Sequence, residues 1–168
     1  ARLESLAIET LDARWQDQRA RAREVALQLA DGVEASRLPG YRRAAYLSIA
    51  ASALFAADDK ADAQRVLARA TQEYQNAGLH PSVQLSEFVY ARARAGNDPA
   101  VADDLKTLVG SWQKIQPHSV WHGEALYWLS RVQAAQGQAE AAAQTRRLAN
   151  PMLQNSTLPT MRLMATDT

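Results

Sequence analysis

Residues 36–45 read SRLPGYRRAA, and residues 156–165 read STLPTMRLMA. The two stretches carry the same serine, leucine, proline, arginine and alanine at five matching positions. Pro81 and Pro117 divide the interval between them, so that the four prolines are separated by 42, 36 and 42 residues. Proline is tolerated in the first turn of a helix because its missing N–H would have no partner there. The recurrence therefore predicts helix starts at a repeat period.

The runs that follow these prolines have the composition and spacing of buried helices. They are rich in alanine and leucine, and their apolar residues recur every three to four positions. Turn residues at Asp58–Asp59, Gly96 and Gly137 then divide each unit into two helices. We predict an all-α chain of helical hairpins, with seven or eight helices and a short C-terminal helix. We expect one domain over residues 1–168, in five segments: 1–37 (a helix or helix pair), repeats 38–79, 80–116 and 117–157, and a capping tail 158–168.

The N-terminal segment allows two interpretations. Residues 2–30 contain neither glycine nor proline, so one long helix is possible. One repeat period before the turn at Asp58, however, lies Asp17, and the alanines and leucine after it match those that follow Asp58. This match favours a pair of helices broken near Asp17.

Composition excludes several classes of function. There is no cysteine, so disulfides, thiolate metal sites and cysteine nucleophiles are excluded. The 19 basic and 18 acidic residues nearly cancel and are interspersed, which argues against nucleic acid or an acidic membrane as the partner. Charges interrupt every apolar run before the roughly 20 residues needed to cross a bilayer.

The origin of the chain is also indicated by its composition. It begins at Ala1 and is rich in alanine and arginine, from which we expect a fragment of a larger protein from a GC-rich bacterium. Composition leaves the compartment open between the bacterial cytoplasm, which we favour, and the periplasm.

The third repeat resembles the tetratricopeptide pattern. The resemblance lies in large residues, a turn glycine and spaced small residues, most typically in residues 136–142 (QGQAEAA), and the positions are Leu126, Leu129, Ser130, Gly137, Ala142 and Ala149. Residues of the first repeat fall at the same intervals, so about three quarters of the chain looks like tetratricopeptide or related helical-hairpin repeats. The usual repeat is about 34 residues, whereas these average near 40.

The resemblance implies a superhelix of stacked antiparallel helix pairs, in which the first helix of each pair lines a concave groove. The residues that it places there are Ser48, Ser52, Phe55, Tyr90, Arg94, Glu124, Tyr127 and Arg131. A mixed polar and aromatic surface of this kind suits an extended peptide or a helix. Family members that grip chaperone C-termini use paired basic and asparagine residues, and the matching positions here carry Ala45, Ile49, Val83, Glu87 and Trp128.

No residue pattern predicts catalysis, a metal or a cofactor. His118, His122 and Glu124 lie close in sequence, but no third convergent ligand accompanies the histidines, so we expect a first helical turn whose polar residues face water. Arg14, Arg19, Arg21 and Arg23 alternate with acidic residues, which predicts a salt-bridged helix face. Among the aromatic residues between Trp112 and Trp128, Tyr127 is the one that we expect to be exposed.

These observations predict a non-catalytic scaffold or adaptor that binds a protein or peptide partner. We expect it to belong to a larger bacterial signalling or regulatory protein. Two alternatives remain open: self-association through apolar helix ends, which would give a homodimer, and ligand sensing in a small pocket near Tyr90, Arg94 and Arg131.

Overall fold

The computed structural model describes residues 2–167, which form nine α-helices, one 3-10 turn (Val83–Leu85) and no strand. The helices are α1 (Arg2–Trp15), α2 (Arg19–Glu34), α3 (Gly40–Ala56), α4 (Lys60–Asn76), α5 (Ser86–Ala95), α6 (Val101–Ile115), α7 (Val120–Ala135), α8 (Ala139–Leu153) and α9 (Pro159–Thr166). The all-α prediction is confirmed, and the described residues contain the eight helices and short C-terminal helix that the repeat period favoured.

The chain divides into two compact units, Ala1–His80 and Pro81–Thr168. The first unit contains α1 to α4, and the second contains the 3-10 turn and α5 to α9. Within each unit, helices that follow one another in sequence pack as neighbours. The single domain expected over residues 1–168, and its division into five segments, stay predictions.

In the first unit, the N-terminal segment is a helix pair broken where the repeat period placed the break. Asp17 has a φ of 54°, a left-handed conformation that aspartate adopts more readily than most residues. Asp58 has a φ of 62° in the turn between α3 and α4. Asp59 then caps α4 by accepting a hydrogen bond from the Asp62 N–H at 3.3 Å. The one-helix alternative for residues 2–30 is therefore excluded.

Small side chains cover much of α3, the helix that packs against α1, α2 and α4. The small residues that it buries fully are Ala44, Ser48, Ala50, Ala51, Ser52 and Ala53. Because these side chains are short, neighbouring helix backbones can approach closely, as in helical repeats.

In the second unit, α7 is the central helix and packs against α5, α6, α8 and α9. Residues 122–130 of α7 are all buried. A Cβ atom added at Gly123 would lie 2.8 Å from the Met152 Cβ and 3.1 Å from the Leu153 Cγ, both on α8. Glycine at this position is therefore required by the close approach of the two helices.

The prolines mark the helix starts less uniformly than expected. Pro159 is the first residue of α9, and Pro39 is the N-cap of α3. Pro117 lies three residues before α7, where Ser119 is the N-cap, and Pro81 lies five residues before α5. The expectation that α5 begins at Pro81 is wrong because the 3-10 turn comes first.

Pro151 does not end α8, which continues to Leu153. Because proline lacks a backbone N–H and clashes with the preceding turn, the sequence predicts a helix end at Pro151, and this prediction is wrong by two residues. A proline in the last turn removes only one backbone donor, and the turn still closes through the Gln154 N–H, which donates to the Asn150 carbonyl at 3.0 Å.

We predict that Gly123→Ala lowers the free energy of unfolding by about 1–2 kcal/mol, because overpacking against α8 outweighs the gain in helix propensity. Gly110→Ala is the matched control, since Gly110 lies inside α6 with nothing within 4 Å of an added Cβ. The control should gain about 0.5–1 kcal/mol. Urea unfolding of both variants measures the difference, and equal stabilisation by both would show that the α7–α8 approach is not tight.

Candidate functional site

A solvent-open cleft lies beside α7 in the second unit, with a volume of about 470 Å³. Its polar lining consists of Ser130 and Arg131 on α7, Arg146 on α8, and Asp167, which follows α9. Two alanines from α7 and two from α8 complete the lining. We call this feature the Arg131–Arg146 cleft. It lies between the two helices because the tight turn at Gly137, with a φ of 77°, folds α8 back onto α7.

Asp167 is held at this cleft by side chains from both helices. The Tyr127 hydroxyl donates a hydrogen bond to the Asp167 Oδ2 at 2.6 Å. Arg131 Nη1 donates to the same oxygen at 3.1 Å. Arg146 donates through Nη2 to the backbone carbonyls of Met164 and Asp167. The end of α9 is therefore attached to α7 and α8 through one phenol and two guanidinium groups.

Aromatic and cation–π contacts hold the donors of the cleft in place. The Tyr127 and Trp128 rings meet edge to face, with centroids 5.0 Å apart. The Arg146 guanidinium lies 4.6 Å from the centroid of the Tyr127 ring, and that of Arg94 lies 4.4 Å from the Trp128 ring. Such stacking restricts the guanidinium rotamers and so pre-orients Arg146 at the edge of the cleft.

Two polar side chains of α7 make local hydrogen bonds. The Ser130 hydroxyl donates to the Tyr127 carbonyl at 2.6 Å, and the Thr145 hydroxyl of α8 donates to the Gln133 Oε1 at 2.8 Å. The charged groups that remain at the cleft are Arg131, Arg146 and Asp167, with a formal charge of +1.

The Tyr127 hydroxyl has a pKa above its ordinary value. Burial raises this pKa, and the hydrogen bond and negative charge of Asp167 raise it further, against the opposing charges of Arg131 and Arg146. The hydroxyl is therefore a hydrogen-bond donor throughout the neutral range. With two guanidinium groups beside it, the cleft presents donors suited to an anionic oxygen.

The groove residues predicted in the first unit do not form an exposed polar surface. Ser48 and Ser52 are fully buried among the packed helices, and the Ser48 hydroxyl donates to the Ala44 carbonyl at 2.6 Å. The expectation that they are exposed is wrong, because their small side chains serve helix packing on α3. Phe55 is partly exposed near the end of that helix.

The groove residues predicted in the second unit separate into buried and accessible groups. Tyr90 and Glu124 are each 2% exposed, and Tyr127 is 6% exposed, which corrects the expectation that they line an open surface. Their side chains lie in the core around α7, where the centroids of the Tyr90 and Trp128 rings are 6.5 Å apart. Arg94 is half-buried against Trp128, whereas the Arg131 side chain is 51% exposed. A partner-binding role for these residues stays a prediction.

Arg146 and Asp167 belong to the cleft and were absent from the predicted groove. Arg146 was missed because the resemblance assigned the groove to first helices, and Arg146 lies on a second helix. Asp167 follows Tyr127 by 40 residues, and no local pattern connects the two. Their convergence results from the packing of α9.

The two histidines of the second unit do not form an exposed polar turn. His122 is 6% exposed, and its Nδ1 accepts a hydrogen bond from the His118 N–H at 3.2 Å. Burial and the charge of nearby His118 lower the pKa of His122, so it is neutral at pH 7. The expectation that these side chains face water is wrong for His122 and Glu124, because the start of α7 is already packed.

In the part of the chain that the structure describes, no group of three or more histidine, aspartate and glutamate side chains could hold a metal ion. Each helix between residues 2 and 167 is too short or too polar to cross a lipid bilayer.

Comparison with known proteins gave no match: no family model, no curated protein and no solved structure is significantly similar to this chain.

We predict that Asp167→Asn lowers the pKa of Tyr127 but leaves it above the ordinary value. The substitution removes a charge and weakens a hydrogen bond that both favour the protonated phenol, while burial persists. The ¹³Cζ chemical shift of Tyr127, followed by NMR from neutral to alkaline pH, measures the change. The control is Asp103→Asn, which makes the same charge change at an exposed position of α6. An unchanged Tyr127 titration in Asp167→Asn would contradict the contact at the cleft.

Proposed function

We propose that this chain is a non-catalytic protein-interaction module, similar to tetratricopeptide domains and of bacterial origin, that forms part of a larger signalling or regulatory protein. The observation that supports this proposal best is the Arg131–Arg146 cleft, an open cleft with a pre-oriented polar edge. Its volume of about 470 Å³ lies in the range of roughly 300–1,000 Å³ that is usual for binding sites.

The chemistry of the cleft favours binding over catalysis. The titratable groups that line it are two arginines and one aspartate, and the tyrosine that contacts this aspartate is held protonated. Arginine does not lose its proton under physiological conditions, so neither guanidinium can act as a general base. Rigid guanidinium donors are well suited to recognising a partner.

The position of the cleft also fits a peptide-binding role. Arg131 lies on the first helix of a pair, the helix that lines the groove in tetratricopeptide domains. Of the eight residues predicted for a groove, Arg131 is the one whose side chain is more than half exposed at the cleft. We therefore centre the proposed interaction on Arg131.

The test is an affinity pull-down with the chain as bait, from a lysate of the organism that it comes from. We expect a protein that wild type retains to be lost by Arg131→Glu, because charge reversal at an exposed position removes the donor while leaving the fold intact. Arg147→Glu is the matched control, since Arg147 is exposed on α8 and does not line the cleft. Circular dichroism confirms that both variants are folded. Equal retention by the two variants would exclude this cleft as the interface.

Self-association is a second candidate, favoured by exposed apolar side chains on the last two helices. Leu148 on α8 is 60% exposed, and Leu163 on α9 is 52% exposed. If these residues join two copies, light scattering will give a concentration-dependent dimer mass for wild type and a monomer mass for a Leu148→Glu, Leu163→Glu variant. A wild-type monomer at all concentrations would exclude this candidate.

A further inference from the structure

The group that already lies at the Arg131–Arg146 cleft indicates which chemical group the cleft can bind. Three side-chain donors converge on the end of α9: Tyr127 and Arg131 meet the Asp167 carboxylate, and Arg146 meets backbone carbonyls. The Asp167 Oδ2 accepts from both the Tyr127 hydroxyl and Arg131 Nη1. A carboxylate oxygen shared by a neutral O–H and a guanidinium N–H is a strong, charge-assisted arrangement.

We propose that this cleft binds an aspartate or glutamate side chain in an extended peptide segment of a partner protein, and that Asp167 is the competing internal occupant. This inference rests on the proposed function and specifies the chemistry of the partner. It differs from a site for a free peptide C-terminus, because the occupant seen here is the side-chain carboxylate of Asp167.

Charge at the cleft favours an acidic partner even while Asp167 is present. The cleft is lined by two guanidinium groups and one carboxylate, so withdrawal of the Asp167 side chain would raise its formal charge from +1 to +2. The Arg131 side chain is 51% exposed and meets Asp167 through one nitrogen at 3.1 Å. Its planar guanidinium group can therefore turn toward an incoming carboxylate and bind it through two nitrogens.

The cleft is larger than one carboxylate requires. The cleft has a volume of about 470 Å³ and includes the alanines of α7 and α8, which provide a shallow apolar surface next to the arginines. The residues on either side of the bound acidic side chain can lie on this surface. Small side chains such as alanine in the partner segment suit it, because the alanine floor has no deep apolar pocket.

Exchange of Asp167 for a partner's carboxylate needs only a local movement. The Asp167 side chain is 40% exposed and its ion pair with half-exposed Arg131 contributes little to stability, so the Tyr127 hydrogen bond is the main contact that a partner must replace. Arg146 also donates to the Met164 carbonyl, and Met161 and Met164 are buried, so α9 stays docked when the Asp167 side chain leaves. Asp167 thus competes at a high local concentration without closing the site permanently.

The test is fluorescence anisotropy at low ionic strength with a labelled peptide of alternating alanine and aspartate whose C-terminus is amidated. We expect Asp167→Asn to bind about tenfold more tightly than wild type, if the tail occupies the site nine-tenths of the time. Arg131→Gln should weaken binding by about tenfold, as expected for a lost charge-assisted pair. Arg147→Gln is the matched control and should bind like wild type.

Two further peptides identify the group that is recognised. A peptide with asparagine in place of aspartate should not bind, and neither should one with neutral side chains and a free C-terminal carboxylate. Equal binding of the asparagine peptide, preference for the free C-terminus, or an Asp167→Asn variant with unchanged affinity would each overturn the inference.

A structural readout separates competition from a simple change of charge. In ¹H–¹⁵N spectra of wild type, the aspartate peptide should shift the Asp167 amide and leave the amides of buried Met161 and Met164 nearly unchanged. If the pull-down partner depends on Arg131 but the aspartate peptide does not bind, the proposed function stands and this inference fails. If Arg131 affects neither experiment, both fail.

Discussion

Close approach of helix backbones at small residues is the constraint on which the rest of the structure depends. At Gly123 the α7 backbone comes so near to α8 that an added Cβ atom would lie 2.8 Å from the Met152 Cβ. In the first unit, fully buried alanines and serines allow α3 to pack against three other helices. A helix pair buries only part of its apolar surface by itself, so this stacking is the main source of stability in each unit.

The Arg131–Arg146 cleft is a consequence of the same packing. Because residues 122–130 are buried, the functional groups of α7 reach the surface only toward its C-terminal half. There, Tyr127 is buried as a ring but extends its hydroxyl to Asp167, and Arg131 emerges one helical turn later. Four alanines of α7 and α8, of which Ala142 is buried, form the floor of the cleft.

The arginines of this protein divide according to their exposure and their partners. Arg43, 17% exposed, donates to Glu73 at 2.7 Å and to two backbone carbonyls, so its donors serve the first unit internally. Arg92 is 13% exposed and pairs with Asp98 and Asp104. Burial of Asp98 opposes its ionisation, but the hydrogen bond and charge of Arg92 hold the pKa of Asp98 below the ordinary value. Arg131 is half exposed and makes a single longer contact at 3.1 Å, so its guanidinium group can also meet another molecule at the cleft.

The sequence by itself determined the all-α class, the turns at Asp17, Asp58 and Gly137, and the helix pairing, because helical periodicity and turn chemistry are local properties. It also named Arg131, which lines the cleft, and Tyr127, whose predicted exposure is wrong. Only the tertiary structure decided that Ser48, Ser52 and Glu124 are buried and that Arg146 and Asp167 complete the cleft. Which side of a helix is covered depends on neighbours far away in sequence. The contact between Tyr127 and Asp167 spans 40 residues and exists only because α9 packs against α7 and α8.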